Sequence, residues 1–295
     1  MKIKLIGFDS MGTRGMATVV EFEDLKIFID PGVSIAPKRY GLDPHPLEID
    51  ALEKHLEEIH REAIDSDILI ISHYHKDHYL YRETEANYYR GKVLIIKDPR
   101  TYINNSQRLR AYKLLNKMNV KENVKELLIA DNNEYIFDKV KIKFSKPLPH
   151  GPRDTKLGYV VMTMIEYEDY KILHGSDVQG PIDDEALNII LENIPDLLII
   201  SGPPTYFEGY KISRKYIRKG IDNLKKITVN MRENSILIVD HHLLRDLNYR
   251  EKISDVIRLG ERNKVKVLTA AEYMGFSIRQ LEALRKKLWR EDLNQ

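Results

Sequence analysis

The chain has 295 residues, of which 42% are hydrophobic and 31% are charged. This length can bury a sizeable core in one large α/β domain or in two small ones. The sequence contains no cysteine, which excludes disulfides and thiolate ligands, so any metal must be held by His, Asp or Glu. No stretch approaches the roughly 18 apolar residues of a membrane helix, and the start lacks the features of a signal peptide. We therefore expect a cytoplasmic protein without a membrane partner.

The first part of the sequence predicts an antiparallel start, a long helix and a buried strand. Alternating apolar residues predict strands at 2–7, 17–22 and 26–29. Residues 46–63 carry apolar side chains at near-helical spacing, which predicts an amphipathic helix. The histidines of this helix and its approach, which are His45, His55 and His60, are expected at the surface.

The rest of the chain alternates short strands with helices. Apolar patterning predicts strands at 68–72, 92–96, 126–130, 134–137, 140–144, 159–166, 170–173, 197–200, 235–239 and 265–268. Helices are predicted at 106–118, 183–193, 214–231 and 250–259, followed by a closing helix with Leu281, Leu284 and Leu288. Because no repeat or linker interrupts this pattern, we expect one domain over residues 1–295.

A group of metal-ligand residue types follows the predicted strand 68–72. His73, His75, Asp77 and His78 fall within six residues. In an extended backbone alternate side chains share a face, so His73 and His75 can reach one ion, while Asp77 and His78 can turn toward a second. Imidazole suits zinc and other first-row metals, and a mixed nitrogen and oxygen set leaves room for water. The spacing therefore predicts a metal site rather than a chance run of surface histidines.

Other candidate ligands also come shortly after predicted strands. Asp30 ends the second strand of the first hairpin, His150 follows a proline-rich stretch, and Asp177 follows the strand 170–173. His241 and His242 follow a late strand. His241 comes one residue sooner after that strand and is favoured, but the choice between the two stays open.

The order of these residues resembles the motifs of the metallo-β-lactamase superfamily. That order is an aspartate closing an early strand, H-x-H-x-D-H, a lone histidine, an aspartate after a turn, and a last histidine after a late strand. The resemblance covers nearly the whole chain. More narrowly, the chain resembles an uncharacterised, mainly archaeal branch of metallohydrolases in that superfamily. The implied fold is an α/β, four-layer αββα sandwich, in which two mixed, largely antiparallel sheets are flanked by helices.

The resemblance implies a site with two divalent metal ions. The implied ligands are His73, His75 and His150 for the first ion, Asp77, His78 and His241 (or His242) for the second, and Asp177 as the bridge. Asp77 and Asp30 are the implied catalytic carboxylates, and Asp30 matches a non-ligand acid that supports the loop. Zinc is expected, with manganese or iron as alternatives, because di-iron relatives usually place a glutamate where this chain has His75 and add a flavin domain.

The implied activity is metal-dependent hydrolysis, in which a hydroxide from the dinuclear site attacks an ester-like or phosphodiester bond. The candidate substrate contacts near the predicted ligand loops are Arg14, Arg153, Ser201, Thr205, Tyr206 and Arg245. Arginine side chains suit phosphate or carboxylate groups. The expected substrate is therefore a small anionic or ester-like molecule.

Two other functions stay open. A nuclease acting on RNA or DNA is supported by the basic segment 211–295 and by a helix with Arg108, Arg110 and Lys113. It is less favoured because the chain lacks the large inserted domain of the RNA-cleaving nuclease branch. The non-enzyme alternative is a metal-containing binding or scaffold protein, and an oligomer is compatible with either function.

Overall fold

The computed structural model describes residues 1 to 292. Its strands are β1 (Lys2–Ile6), β2 (Ala17–Glu21), β3 (Lys26–Ile29), β4 (Ile68–Ile71), β5 (Val93–Ile96), β6 (Glu126–Ile129), β7 (Glu134–Phe137), β8 (Val140–Phe144), β9 (Leu148–Pro149), β10 (Tyr159–Val160), β11 (Thr163–Tyr167), β12 (Tyr170–His174), β13 (Leu197–Ser201), β14 (Ile236–Asp240) and β15 (Lys266–Leu268). Its α-helices are α1 (Pro46–Asp65), α2 (Asn105–Tyr112), α3 (Val120–Asn123), α4 (Asp184–Asn193), α5 (Arg214–Asn230), α6 (Tyr249–Lys252), α7 (Ser254–Arg262), α8 (Ala270–Tyr273) and α9 (Leu281–Asp292).

The chain divides into two compact units. The first comprises Met1–Ile129 together with the C-terminal segment from Met274, and the second comprises Ala130–Tyr273. The prediction of one domain over the whole chain stays a prediction. Within the described residues 1–292, no helix is both long enough and apolar enough to cross a bilayer.

The first unit contains a six-stranded sheet in the order β1-β2-β3-β4-β5-β6. Strands β1 to β3 pair antiparallel, whereas β3 to β6 pair parallel. Neighbouring parallel strands bring their carboxyl ends to the same edge of a sheet. Asp30 follows β3, Ser72 follows β4 and Lys97 follows β5, so these three residues begin the loops along one edge.

The central strands of this sheet are continuous apolar runs. All side chains of β4 and β5 are aliphatic and buried, which is typical of parallel strands that are covered on both faces. Leu69 and Ile71 of β4 share a core with Ile59 and Ala63 of α1. The apolar side of the predicted amphipathic helix therefore packs on this sheet, and the helix continues two residues beyond its predicted end, to Asp65.

A buried ion pair connects α9 to α1. The guanidinium of Arg285 donates two hydrogen bonds of 2.7 Å to the carboxylate of Glu48, and both side chains are fully buried. Arg285 also donates to the carbonyl oxygens of Ala36 at 2.8 Å and Leu42 at 3.1 Å. One side chain therefore holds three separate segments of the first unit.

The second unit contains a seven-stranded sheet in the order β15-β14-β13-β12-β11-β8-β7 and a two-stranded sheet of β9 and β10. Strands β7, β8, β11 and β12 pair antiparallel, and β12 to β15 pair parallel. His174, Ser201 and Asp240 end β12, β13 and β14. The loops after these strands therefore also meet at one edge, and they include Asp177, His241 and His242.

The predicted elements are largely confirmed, with corrections. The predicted strand 159–166 is divided into β10 and β11, and the predicted helix 250–259 is divided into α6 and α7. The predicted helix 106–118 is α2 followed by a π-helical turn at Lys113–Lys117. The expectation of a surface position is wrong for His45, which is buried because it caps α1. Its Nδ1 accepts a hydrogen bond from the N–H of Leu47, and its ring contacts Trp289 edge-on at 4.9 Å.

His55 gives the first unit a testable pH dependence. Its Nδ1 lies 2.8 Å from Thr13 Oγ1, and burial lowers the pKa of His55 from 6.5 to about 4. As the pH falls from 6.5 to about 4, the unfolded chain binds a proton at this imidazole and the folded protein does not. The free energy of unfolding should therefore decrease over this range. Urea titrations at several pH values should show a smaller decrease in His55→Gln; an equal decrease would contradict the assignment.

Candidate metal centre

The first unit brings three of the predicted site residues together. Asp30, His73 and His78 are buried, and their ligand atoms lie within 4.8 Å of one another. The imidazole centroids of His73 and His78 are 4.2 Å apart, and those of His73 and His75 are 4.6 Å apart. His75 and Asp77 are half-buried in the same loop. The H-x-H-x-D-H segment thus forms a compact group of nitrogen and oxygen ligands.

Asp30 organises this group through hydrogen bonds. Its Oδ1 accepts from the N–H of Ser72 at 2.8 Å, and its Oδ2 accepts from the Ser72 hydroxyl at 2.6 Å. Oδ2 also lies 2.8 Å from Nδ1 of His78. A carboxylate that accepts from Nδ1 orients the imidazole and leaves Nε2 as the nitrogen with a lone pair. This geometry fits the predicted role of Asp30 as a non-ligand acid that supports the loop.

The backbone around Asp30 is shaped for close approach. Asp30 has a φ of 50°, an uncommon value that for residues other than glycine is often found at functional sites. At Gly32, an added Cβ would lie 2.1 Å from the backbone nitrogen of Tyr79 and 2.7 Å from the carbonyl carbon of His78. Only glycine therefore allows this loop to pack directly on the backbone of the histidine motif.

Replacing Asp30 with asparagine should weaken metal binding while leaving the fold intact. The amide keeps the size of the side chain but removes one of the two acceptor oxygens that serve Ser72 and His78. Loss of such an outer partner typically costs about 10- to 100-fold in metal affinity. Competition with a chromophoric chelator measures the metal affinity. The matched control is Asp65→Asn, which changes an exposed aspartate at the end of α1. Unchanged affinity in Asp30→Asn would contradict the positioning role.

The second unit brings four predicted site residues together around Asp177. The ligand atoms of Asp177, His241 and His242 lie within 4.8 Å of one another. Asp177 Oδ1 is 3.3 Å from Nε2 of His241, and Oδ2 is 3.3 Å from Nε2 of His242 and 2.9 Å from Nε2 of His150. One buried carboxylate therefore faces three imidazoles.

Two residues in uncommon backbone conformations shape the loops that carry these ligands. Ser176, directly before Asp177, has a φ of 51°, and His241 has a φ of 54°. Asp240, at the end of β14, accepts from the N–H of His241 with Oδ1 and from the N–H of Ala270 with Oδ2, at 2.6 and 2.8 Å. The turn that places His241 beside Asp177 is thus fixed by a neighbouring carboxylate.

Both members of the histidine pair stay candidates for the last ligand. Burial lowers the pKa of His242 to about 3, so its imidazole is neutral and can donate a lone pair to a metal. Its Nδ1 is buried without a hydrogen-bond partner among residues 1–292. His241 is fully buried and faces the same carboxylate. The preference for His241 stays a prediction.

Ser72 and Gln179 support the ligands but were not singled out from the sequence. The Ser72 hydroxyl lies 3.0 Å from Nδ1 of His73. Gln179 Nε2 lies 3.2 Å from Nδ1 of His150, and a Cβ at Gly151 would come within 2.3 Å of Gln179 Oε1. Ser72 could have been noticed as the residue between a strand and the motif, whereas no local pattern identifies Gln179.

Two of the predicted substrate contacts form ion pairs. Arg14 donates from Nε and Nη2 to the carboxylate of Glu282 at 2.5 and 2.6 Å in the first unit. Arg153 is exposed and pairs with Asp183 at 3.1 Å in the second unit. Their guanidinium groups have intramolecular partners, and their role as substrate contacts stays a prediction.

The other four predicted contacts lie in the second unit. The Ser201 hydroxyl accepts from the N–H of Gln179, and the Thr205 hydroxyl donates to Asp246. The buried guanidinium of Arg245 lies 3.3 Å from both ring nitrogens of His241, and its Nη1 is 3.5 Å from the Tyr206 hydroxyl. Arg245 and Tyr206 are thus directly connected to a candidate ligand.

The donor sets of both units suit a divalent metal ion. They consist of imidazole nitrogens and carboxylate oxygens, the ligand types that zinc, manganese and non-haem iron share. Buried histidines at these distances from carboxylates also have the outer hydrogen bonds that metal ligands usually have. The residues therefore fit the ions that the metallo-β-lactamase resemblance implies.

Structural comparison identifies the fold. The chain is similar to the metallo-β-lactamase fold protein YhfI from Bacillus subtilis, with 13% identity, a TM-score of 0.54 and coverage of 91% of this chain and 96% of that one. It is also similar to Zn(2+)-bound PqqB from Methylobacterium extorquens, with 10% identity, a TM-score of 0.53 and coverage of 91% and 98%. The predicted α/β class and a fold of the metallo-β-lactamase type are confirmed.

Sequence comparison identifies the family. No model of a protein family matches the chain. A UPF0282 protein from Methanopyrus kandleri is 42% identical over 306 residues, which cover 99% of this chain and 100% of the relative. A UPF0282 protein from Methanocaldococcus jannaschii is 40% identical over 305 residues, which cover 100% and 99%. Both relatives come from archaea, in agreement with the archaeal branch that the sequence resembles. The chain belongs to the UPF0282 family.

Proposed function

We propose that this protein is a metal-dependent hydrolase with two divalent ions, and that zinc is the native metal. The observation that carries the proposal is the gathering of buried histidines and aspartates at the strand edge of each unit, around Asp30 and around Asp177. The zinc-bound state of the structural neighbour PqqB is compatible with zinc, and we prefer zinc to iron because His75 stands where di-iron relatives usually place a glutamate. Burying several carboxylates and imidazoles close together costs free energy of folding unless these groups bind a ligand such as a metal ion.

We assign the ligands as the superfamily resemblance implies. The proposed set is His73, His75 and His150 for one ion, Asp77, His78 and His241 (or His242) for the other, and Asp177 as the bridge. When bound, the ions would lower the pKa of water toward neutral and polarise the oxygen of an ester or phosphoryl group. The chain itself would orient the imidazoles, through Asp30 for His78 and through Gln179 for His150.

Arg245 is the substrate contact that we propose first. It is buried beside His241 and Tyr206, and a guanidinium in such a place can bind two oxygens of a phosphate or carboxylate. The Tyr206 hydroxyl offers a neutral donor next to it. We therefore propose a small anionic substrate with an ester-like or phosphodiester bond.

A nuclease is the second candidate, but the predicted basic helix gives it less support than its sequence suggests. Arg110 donates to the carbonyl oxygen of Tyr74 at 3.0 Å, and Lys113 pairs with Glu83 at 3.2 Å. Of these three cations, Arg108 is the one whose side chain forms neither a hydrogen bond nor an ion pair among residues 1–292. A continuous nucleic-acid surface needs a longer row of available cations.

A substrate screen tests the proposal. The purified protein, loaded with zinc or manganese, is assayed with a generic phosphodiester, a lactone, a thioester and RNA, and Asp77→Ala is the inactive control. We expect metal-dependent turnover of a small ester or phosphodiester. Turnover of RNA alone would favour the nuclease. No turnover of any of them together with specific capture of a partner protein would favour a scaffold.

A further inference from the structure

The first unit has an open cleft on the helix side of its sheet, outside the proposed metal ligands. Its volume is about 420 Å³, within the range of small-molecule sites. Its floor comes from the ends of β5 and β6, with Ile96 and Leu127, and from Leu115 of the π-helical turn. Arg108 and Tyr112 of α2 form one wall.

Three cations surround this cleft without carboxylate partners. Arg100, Arg108 and Lys121 are exposed, and none of them forms an ion pair with any residue in the described part of the chain. The lining contains one carboxylate, Asp98, whose oxygens accept from the N–H of Arg100 and the hydroxyl of Thr101 at 2.8 and 2.9 Å. With three cations and one carboxylate, the lining of the cleft therefore carries a net positive charge.

The lower part of the cleft is apolar. Ile96 and Leu115 are buried beneath the opening, and Leu127 is partly buried. Tyr112 is 52% exposed and presents an aromatic ring at the wall, one helical turn from Arg108. A ligand that fills this space needs an apolar body below and an anionic group at the rim.

Buried polar contacts hold the segments that carry Arg100 and Arg108 in place. The fully buried Lys97 donates to the carbonyl oxygens of Asp98 and Thr101 at 3.2 and 2.9 Å, which fixes the loop that carries Arg100. The α2 wall is fixed by Gln107, whose Oε1 accepts from the N–H of Tyr74 at 3.2 Å. A binding site whose walls are already ordered loses little entropy when a ligand enters.

We propose that this cleft binds a small organic phosphate whose body is an aryl or alkyl group. Three cations in one lining match a phosphate dianion, and arginine can bind two of its oxygens at once. The small volume and the apolar floor favour a small molecule over an extended nucleic-acid strand. This site is separate from the proposed hydrolase centre, and its occupancy does not require that the protein hydrolyse anything.

Titration calorimetry at pH 8 tests the proposal with probes that cannot be hydrolysed. Phenylphosphonate represents an aryl body and hexylphosphonate an alkyl body, while inorganic phosphate and phenol supply each half alone. At least one phosphonate should bind with a Kd of about 1 mM or lower, and more tightly than phosphate or phenol. Comparison of the two phosphonates identifies the body. No saturable binding of either, or binding no tighter than that of phosphate, would overturn the proposal.

Variants locate the bound probe. Arg108→Gln should weaken phosphonate binding about tenfold or more, because it removes a charge-assisted contact. Tyr112→Ala should weaken the phosphonates and leave phosphate unchanged. Arg61→Gln, an exposed helical arginine outside the cleft, should bind like the unaltered protein. Phosphonate binding that Arg108→Gln leaves unchanged would lie elsewhere, at the proposed metal centre for example, and would contradict the assignment.

Discussion

Asp177→Ala is expected to lose metal-dependent turnover by at least about 100-fold. The Asp177 carboxylate faces His150, His241 and His242 within 3.3 Å, and we assign it as the bridge between the ions. Loss of an outer partner of a metal ligand already costs up to about 100-fold, so loss of a bridging ligand should cost no less. The measurement is the turnover of the best substrate from the screen, together with the metal content of the purified variant.

Asp169→Ala is the matched control for this change. Asp169 is an exposed aspartate in the turn between β11 and β12, in the same unit as Asp177. It should keep full activity and metal content. Near-normal turnover in Asp177→Ala would contradict the ligand assignment, provided that circular dichroism shows both variants to be folded.

Arg285→Met should destabilise the protein by about 3–5 kcal/mol. The change leaves the carboxylate of Glu48 buried without its guanidinium, and it removes donors from the carbonyl oxygens of Ala36 and Leu42. Urea unfolding monitored by circular dichroism gives the free energy of unfolding. Lys286→Met, an exposed neighbour in α9, should change it little.

A double variant separates the charge from the packing of this pair. Glu48→Gln combined with Arg285→Met removes both charges, so that no charged group is left buried without its partner. The double variant should therefore recover part of the stability that Arg285→Met loses. If Arg285→Met is as stable as the unaltered protein, α9 does not depend on this ion pair.

The strands were predicted well from the sequence, and the candidate ligands of the H-x-H-x-D-H motif could be singled out, because both signals are local. In β4, four consecutive apolar residues indicate a buried strand, and His73, His75, Asp77 and His78 follow it directly. The order of the motifs in the metallo-β-lactamase superfamily then identified Asp30, His150 and Asp177 as candidates. No rule of local spacing connects these three residues. The choice between His241 and His242 could not be made, because adjacent residues in a 3-10 turn both reach the same carboxylate.

Features that depend on distant parts of the chain were missed. Glu48 and Arg285 are 237 positions apart, so no local pattern reveals that these two charged side chains are buried together. His45 was expected at the surface because it lies in the approach to an amphipathic helix, but its role as a helix cap and its contact with Trp289 bury it. Gln179 supports His150 from a loop that has no distinctive sequence.

The metal content of protein purified without chelators tests the central claim most directly. Elemental analysis by mass spectrometry should find about two divalent ions per chain, mainly zinc. Asp77→Ala, which removes a ligand assigned to the second ion alone, should retain about one. A protein that is folded and carries no stoichiometric metal, even after incubation with zinc, manganese or iron, would contradict the account.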